Sequence, residues 1–255
     1  MPIDREHVFD MIREGRTAVV LGGDASLYEG MCTNSRLISA LASACNYPEG
    51  FPLSLVEVGE YYAELRGHNQ LLERVIQLVD STSGESLLLK KLAEVKKLTE
   101  FFATTLDEHL QNYFSNKEMV VIRSDTDIPR AFSRPRRLYR LNGSIAGAER
   151  MIVTREALLQ QLNRGMKSPI LLHLAFNLSS RQFLIFGHEM KDWNFAFYFQ
   201  QVTAYLGEFR EKAILFNSKV DSVLASYWNK RNVEVMAEDP VEFLSQYQNW
   251  EKVRK

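Results

Sequence analysis

The sequence predicts an α/β fold in which helices cover both faces of a mostly parallel sheet. Short apolar runs rich in β-branched residues alternate with segments of helical periodicity along nearly the whole chain. The first apolar run, residues 17–21, is followed at once by Gly22 and Gly23, and a helical pattern begins near Asn34. A strand, a glycine turn and a helix in this order are typical of the first unit of a nucleotide-binding α/β domain. We therefore expect a Rossmann-like sheet.

The first half of the chain is mostly helical outside that unit. Apolar residues recur at helical spacing in residues 4–15, and Asp4 can cap this helix. Helical patterns also fill residues 55–80, 84–101 and 107–115. A short strand end could lie at 100–105. We expect residues 55–115 to form a helical insertion packed over the sheet, within a single domain that spans residues 1–255.

Strands and helices alternate more regularly in the second half. Strands are predicted at 119–124, 138–144, 181–192 (running into a turn), 213–218 and 233–237. Helices are predicted at 153–165, 168–180, 193–210, 222–231 and 239–250. Thr154 and Asp239 are favourable N-caps, and Pro240 suits a first helical position because its missing N–H costs nothing there.

Composition and charge restrict the function classes. The 255 residues are 45% apolar and 25% charged, which is typical of a globular protein. Thirty-one Lys and Arg face thirty-two Asp and Glu, so no global basic field exists to hold nucleic acid or an anionic membrane. The charged start lacks the apolar stretch of a secretion signal, so we expect a cytoplasmic protein. The two cysteines, Cys32 and Cys45, provide neither a disulfide framework nor a four-cysteine metal site, and no metal is expected.

Two surface features suggest a protein partner. A basic run around residues 130–140 could hold phosphate or an acidic partner, or could simply be a solvated run of charges. Its members are Arg130, Arg134, Arg136, Arg137 and Arg140. Aromatic residues in 193–210 are too dense for one buried helix face, so they indicate either a protein–protein surface or packing under the helical insertion. They are Phe195, Phe197, Tyr198, Phe199 and Tyr205.

Five segments, taken in order, resemble one family, the bacterial sirtuin-like NAD-binding domains, many of which are anti-phage NAD-cleaving effectors. The segments are VVLGGDAS (19–26), FATTLDEHLQ (102–111), RLNGS (140–144), MIVTREAL (151–158) and LIFGHEMKDWNF (184–195). They are similar to the family's Gly-Ala-Gly-x-Ser turn, its Thr-Thr-Asn-Tyr-Asp motif, its Lys-Leu-His-Gly-Ser motif, a Thr-Arg-Glu-Asp-Tyr segment, and a strand followed by Gly-Tyr-Ser. The resemblance covers about residues 15–245.

The resemblance implies NAD as substrate or ligand and assigns the residues that would bind it. Those residues are Gly22, Gly23, Asp24, Ser26, Thr104, Asp107, Gly143, Gly187 and Asp192. Several of these residues are equally suited to purely structural roles. Gly22 and Gly23 could simply form a tight turn without binding a ligand. Thr104 and Asp107 could serve as helix caps, and the Asn-Gly pair before Ser144 forms turns readily.

The chain departs from the family where the chemistry would occur. Thr105 and Asn142 stand where the family has a catalytic Asn and a catalytic His, and neither side chain takes a proton near neutral pH. His188, which matches a family tyrosine, is the best remaining titrating candidate. Asp24 replaces a glycine and places a carboxylate where a diphosphate would rest on backbone N–H groups.

Two functions therefore compete. One is an NAD⁺ glycohydrolase-type effector, or a subunit of one, that cleaves the bond between nicotinamide and ribose, with Thr105, Asn142 and His188 as catalytic candidates. The other is a catalytically inactive sirtuin-like module that binds a partner protein or a nucleotide in a defence complex. In both cases we expect a protein partner, a homo-oligomer, or both, and neither nucleic acid nor membrane as a direct partner.

Overall fold

A computed structural model describes residues 4–25, 33–81, 84–204 and 211–254. In these ranges the strands form one seven-stranded, all-parallel sheet in the order β3-β4-β2-β1-β5-β6-β7, which confirms the predicted α/β fold. The strands are β1 (Thr17–Leu21), β2 (Glu100–Ala103), β3 (Met119–Ile122), β4 (Arg136–Arg140), β5 (Gln182–Phe186), β6 (Ala213–Phe216) and β7 (Val233–Met236). The helices are α1 (Arg5–Arg13), α2 (Asn34–Cys45), α3 (Leu55–Arg66), α4 (His68–Asp80), α5 (Leu87–Glu94), α6 (Arg155–Arg164), α7 (Pro169–Ser180), α8 (Trp193–Thr203), α9 (Ser222–Asn229) and α10 (Pro240–Val253).

The central strands are apolar throughout because helices cover both of their faces. In β1, Ala18 and Val20 pack into one core together with residues of α7, α8 and α9. Val19 and Leu21 point to the opposite face and pack into a second core with α1, α5 and α10. Side chains of successive strand residues alternate between faces, so a strand buried on both sides is an almost continuous apolar run.

The predicted helix starts carry their predicted caps. Asp4 accepts a hydrogen bond from the N–H of Glu6, and Thr154 accepts one from the N–H of Ala157. Asp239 accepts two backbone N–H groups at the start of α10, where proline occupies the first position. These bonds satisfy donors that have no partner within the helix.

The segment 55–115 is not helical throughout. Its first helical pattern is broken at Gly67, whose φ of 93° ends α3 before α4 begins. With α2, these two helices enclose a third apolar cluster. Strand β2 also lies within the segment and pairs with β1, and the helix predicted at 107–115 is only a 3₁₀ turn, Leu110–Tyr113. The single-domain assignment stays a prediction.

The second half of the chain differs from prediction in smaller ways. The segment between β3 and β4, for which the sequence indicates neither a helix nor a strand, contains 3₁₀ turns over Asp125–Ser133. Phe195 and Phe199 of α8 are buried against Trp228 of α9, not under the helices of segment 55–115. The side chains of Phe197 and Tyr198, and residue Tyr205, lie outside what the structure describes, so an aromatic partner surface stays a prediction. Within the described ranges, no helix is both long enough and apolar enough to cross a bilayer.

Candidate functional site

The candidate site is a cleft of about 700 Å³ at the carboxyl ends of three central strands, β1, β2 and β5. Strand β1 has β2 on one side and β5 on the other, so the direction in which strands are added to the sheet reverses at β1. In open α/β sheets, ligands bind at such a switch point. The cleft also has the volume range usual for small-molecule sites. The lining includes all three predicted catalytic residues, Thr105, Asn142 and His188.

The glycines after β1 and β5 hold two loops in close contact. The N–H of Gly22 donates to Phe186 O over 2.8 Å, and the N–H of Asp24 donates to Gly187 O over 2.9 Å. A Cβ atom on Gly22 would collide with the Gly187 carbonyl and the His188 ring, and one on Gly187, whose φ is 71°, would collide with the Ala25 backbone. Gly22 therefore packs loop against loop and does not line the cleft, whereas Gly23, Asp24 and Gly187 do.

Asp24 lies at the amino end of α2. Its Oδ1 accepts a hydrogen bond of 3.1 Å from the N–H of Asn34, the first residue of that helix. Burial raises the pKa of Asp24, the bond to Asn34 opposes this shift, and the carboxylate of Glu189 adds to it. A carboxylate of the protein thus occupies the helix end at which a ligand phosphate would be stabilised. The predicted phosphate-binding residue Ser26 lies outside the described residues.

His188 is the centre of a hydrogen-bonded series. Its Nδ1 lies 3.0 Å from Asp192 Oδ2, and its Nε2 lies 3.2 Å from Thr104 Oγ1. The imidazole is only 4% exposed and stacks on Phe195, with 3.7 Å between ring centroids. The other oxygen of Asp192 accepts the N–H of Phe195 and so caps α8. The ring is thus fixed in position and orientation.

Thr104 connects this series to the cleft. Its Oγ1 lies 3.1 Å from Leu21 O, so the hydroxyl proton has two possible acceptors, that carbonyl and His188 Nε2. When Nδ1–H donates to Asp192, a neutral imidazole presents an unprotonated Nε2 to the threonine hydroxyl. The arrangement Asp–His–hydroxyl can therefore accept a proton from the cleft.

The two substituted family positions are held by bonds inside the protein. Thr105 Oγ1 accepts a 3.1 Å hydrogen bond from Arg140, a guanidinium that is 2% exposed. Burial lowers the pKa of Arg140, and the carboxylates of Asp107 and Glu108 oppose that shift. Asn142 Nδ2 lies 3.4 Å from Thr104 O and holds the loop after β4 against the loop after β2. Both residues line the cleft, but their bonded polar atoms serve the structure.

The remaining predicted residues divide between the cleft and the scaffold. Asp107 lines the cleft, and its Oδ1 accepts the N–H of His109 in a local turn, so it does not cap the predicted helix. Gly143 does not line the cleft. Its φ is 72°, and a Cβ there would collide with the backbone of Arg150, so the Asn-Gly pair forms a tight turn, which is the structural role that its composition favours.

The cleft is acidic, a property that motif reasoning did not reveal. Its described lining contains five carboxylates and one ammonium group. The carboxylates belong to Asp24, Glu57, Asp107, Glu189 and Asp192, and the ammonium belongs to Lys191. Glu57, at the start of α3, forms an ion pair with Arg155. Glu189 follows His188 directly and could have been expected beside it, but no sequence pattern indicates that α3 reaches the cleft.

The fold and the site together define a parallel α/β domain with a ligand cleft at its switch point. A model of the SIR2-like domain matches residues 99–236, which is more than half of the chain. The chain therefore belongs to the SIR2-like domain family, whose members bind NAD. A comparison with curated proteins found no match.

Proposed function

We propose that the chain is a sirtuin-like NAD hydrolase that acts as an effector, or as a subunit of one, in bacterial anti-phage defence. The observation that carries the proposal is the series Asp192–His188–Thr104, which ends at a hydroxyl group in the cleft. Membership of the SIR2-like family supports NAD as the ligand. The defence role rests on the resemblance to anti-phage effectors.

In the proposed reaction, water adds to C1′ of the nicotinamide-bearing ribose while the bond from C1′ to the pyridinium nitrogen breaks. The bonding pair leaves with the nitrogen, so nicotinamide departs neutral and needs no general acid. Water loses a proton to the Thr104 hydroxyl as the proton of that hydroxyl moves to His188 Nε2. Asp192 then stabilises the imidazolium. The products are nicotinamide, ADP-ribose and a proton.

The acidity of the cleft suits this reaction. Positive charge develops on the ribosyl ring as the pyridinium leaves, and fixed carboxylates stabilise a cation without having to reorganise. Asp107 and Asp192 both line the cleft and are anchored by bonds to backbone N–H groups. Anchoring keeps these charges in place during the reaction.

The described residues suit the two halves of NAD unequally. The nicotinamide-ribose half would lie near the carboxylates of the cleft, Thr104 and His188. The diphosphate would find Asp24 at the start of α2, where like charges repel. We therefore expect Asp24 to limit the affinity for the dinucleotide without preventing it from binding.

A second candidate function is favoured by a specific observation. Thr105 and Asn142 line the cleft, but Thr105 Oγ1 is bonded to Arg140 and Asn142 Nδ2 to a backbone carbonyl, so these two atoms already have partners within the fold. This arrangement fits an inactive sirtuin-like module that binds a partner protein or a nucleotide in a defence complex.

Release of nicotinamide from NAD tests the proposal, with the purified chain alone and with the products of neighbouring genes. Asp192→Asn removes the negative charge that supports His188 but keeps an oxygen to cap α8, so we expect a loss of at least about 100-fold. Asp221→Asn is the matched control, because Asp221 caps α9 in the same way and does not line the cleft. Retained activity in Asp192→Asn would contradict the mechanism.

Binding and infection assays separate the two candidates. NAD binding by calorimetry without nicotinamide release supports the inactive module, whereas no NAD binding by a folded protein contradicts the hydrolase. In bacteria that express the chain, NAD should fall after phage infection, and it should not fall with Asp192→Asn. An unchanged NAD level during effective protection would contradict the proposed defence mechanism.

A further inference from the structure

A second groove, of about 590 Å³, lies at the edge of the sheet opposite β7. It is lined by three successive residues of β3: Met119, Val120 and Val121. Successive strand residues point to opposite faces, so a groove that touches all three follows the edge of the strand. Strand β3 is the last strand on this side and pairs only with β4 among the described strands.

The backbone of β3 presents hydrogen-bonding groups to this groove. Glu118 O accepts the N–H of Arg136 in β4, and backbone groups alternate in direction along a strand. Residues 118, 120 and 122 therefore direct their backbone groups to β4, while residues 119 and 121 direct theirs outward. The outward N–H of Met119 already donates to Ser115 O. The N–H of Val121 and the carbonyls of Met119 and Val121 face the groove.

The groove is basic. Arg123, Arg130 and Arg134 line it, and no carboxylate is found among its described lining residues. The Nη2 of Arg123 forms an ion pair of 2.7 Å with Glu108, so the positive charge open to a ligand comes from Arg130 and Arg134. Arg123 Nε is buried without a hydrogen-bond partner in the described structure, and so is Oε1 of Gln111, another lining residue. Arg134 Nε donates to Asn116 O over 2.9 Å, which joins the two walls of the groove. Charge and unsatisfied polar groups thus coincide with the strand edge.

The basic run of the sequence divides between this groove and the core. Arg137 of β4 forms an ion pair of 2.6 Å with the buried Glu100, and Arg136 donates to backbone carbonyls. Arg140 bonds to the loop after β2. The other two members of the run, Arg130 and Arg134, lie in the groove. The run is therefore not a uniformly solvated face.

We propose that an extended acidic segment of a partner protein binds in this groove and adds to the sheet beside β3. Main-chain bonds to Met119 and Val121 would align the segment, and its carboxylates would pair with Arg130 and Arg134. The four residues of β3 rise about 10 Å, enough to pair with a segment of about four residues that places two side chains on each face. The groove shares no lining residue with the cleft, so this inference is independent of the proposed function.

A protein segment fits the groove better than a nucleic acid does. The binding face combines backbone groups of a strand edge with a local cluster of arginines. The chain has a net charge of −1, so it has no overall positive field to attract a nucleic acid backbone.

Fluorescence anisotropy with a labelled octapeptide of alternating Glu and Val tests the proposal. We expect saturable binding that the double variant Arg130→Glu/Arg134→Glu weakens at least tenfold. The control variant Arg66→Glu/Arg164→Glu reverses two exposed charges that lie outside the groove and should bind like the wild type. Arg130→Glu alone, which changes an exposed side chain, should weaken binding even if the double variant proves unstable.

Two further probes examine the mode of binding. The same peptide with alternate backbone nitrogens methylated cannot form one row of strand hydrogen bonds, and we expect it to bind at least tenfold more weakly. Equal binding by the methylated peptide would overturn strand addition. Equal binding by the Arg130→Glu variants, or tighter binding of single-stranded DNA of the same charge, would overturn the assignment of an acidic protein segment.

Discussion

Replacing Asp24 by Asn tests whether this carboxylate limits dinucleotide binding. Asparagine keeps an oxygen that can accept the N–H of Asn34, so the start of α2 should be preserved. The substitution removes only the charge. We expect the affinity for a diphosphate ligand to increase.

The magnitude follows from the position of Asp24 at the helix end. A phosphate that shares the first turn of α2 with this side chain would lie about 5 Å from the carboxylate, and at an effective dielectric constant of about 20 the repulsion is about 3 kcal/mol. Asp24 is half-buried, so solvent screening leaves roughly 1.5–3 kcal/mol. That corresponds to about a 10- to 100-fold decrease in Kd.

The assay is isothermal titration calorimetry with two ligands that lack the nicotinamide bond. ADP-ribose carries the diphosphate and should bind Asp24→Asn more tightly than the wild type, whereas adenosine carries no charge and should bind both equally. Glu64→Gln, an isosteric change of an exposed residue outside the cleft, should alter neither affinity. An unchanged affinity for ADP-ribose in Asp24→Asn would refute the reasoning.

A pH titration provides an independent check on the same charge. Burial raises the pKa of Asp24, so the fraction of ionised carboxylate falls as the pH is lowered toward that pKa. The diphosphate charges of the ligand persist over this range. Binding of ADP-ribose by the wild type should therefore strengthen as the pH falls below neutral, and Asp24→Asn should lose this dependence.

Three further predictions concern stability, each measured by thermal or urea denaturation. Gly187→Ala should destabilise the fold by at least about 2 kcal/mol, because φ at this residue is 71° and the new Cβ would collide with backbone atoms. The control Gly50→Ala, at a φ of 83° with no neighbouring atoms, should cost only about 1 kcal/mol, and equal losses would contradict the close packing of the loops after β1 and β5. Trp228→Phe should lower the free energy of unfolding by about 2–3 kcal/mol, since it leaves a cavity and removes the 2.9 Å hydrogen bond to Met190 O. A decrease of less than about 0.5 kcal/mol would show that this hydrogen bond contributes little to stability. Asp239→Ala should cost about 1 kcal/mol through the lost cap of α10, and an unchanged midpoint would argue against the capping geometry.

The strands are largely predictable from the sequence because a parallel sheet that is covered on both faces needs apolar runs. The prediction for residues 17–21 matches β1 with the correct bounds, and the predicted start of α2 at Asn34 is also correct. Strand β2 is foreseen only as a short strand end, because its apolar run is short and follows four helices, α2 to α5. The break at Gly67 is not predicted, since an isolated glycine inside a helical pattern does not by itself indicate a turn.

The site is only partly predictable, because the sequence does not show in which direction its side chains point. Sequence order places Thr104, His188 and Asp192 near the carboxyl ends of strands, but it does not show that one imidazole bonds both of the others. Nor can it show that Asp24 turns toward Asn34, because that contact depends on the path of the loop between them. The basic run likewise does not indicate which arginines turn inward, since that depends on the position of Glu100 in β2.

The order of the strands has a consequence for how the chain folds. Val19 of β1 is aligned with Phe101 of β2 and with Leu184 of β5, so the middle of the sheet joins segments that are far apart in sequence. Closing such long loops is entropically unfavourable and slows the search for the native pairing. During synthesis, β1 therefore cannot pair with β5, its second neighbour, until most of the polypeptide has been made. Truncated chains that end before β5 should leave the apolar edge strand β1 unpaired on one side, and we expect them to aggregate.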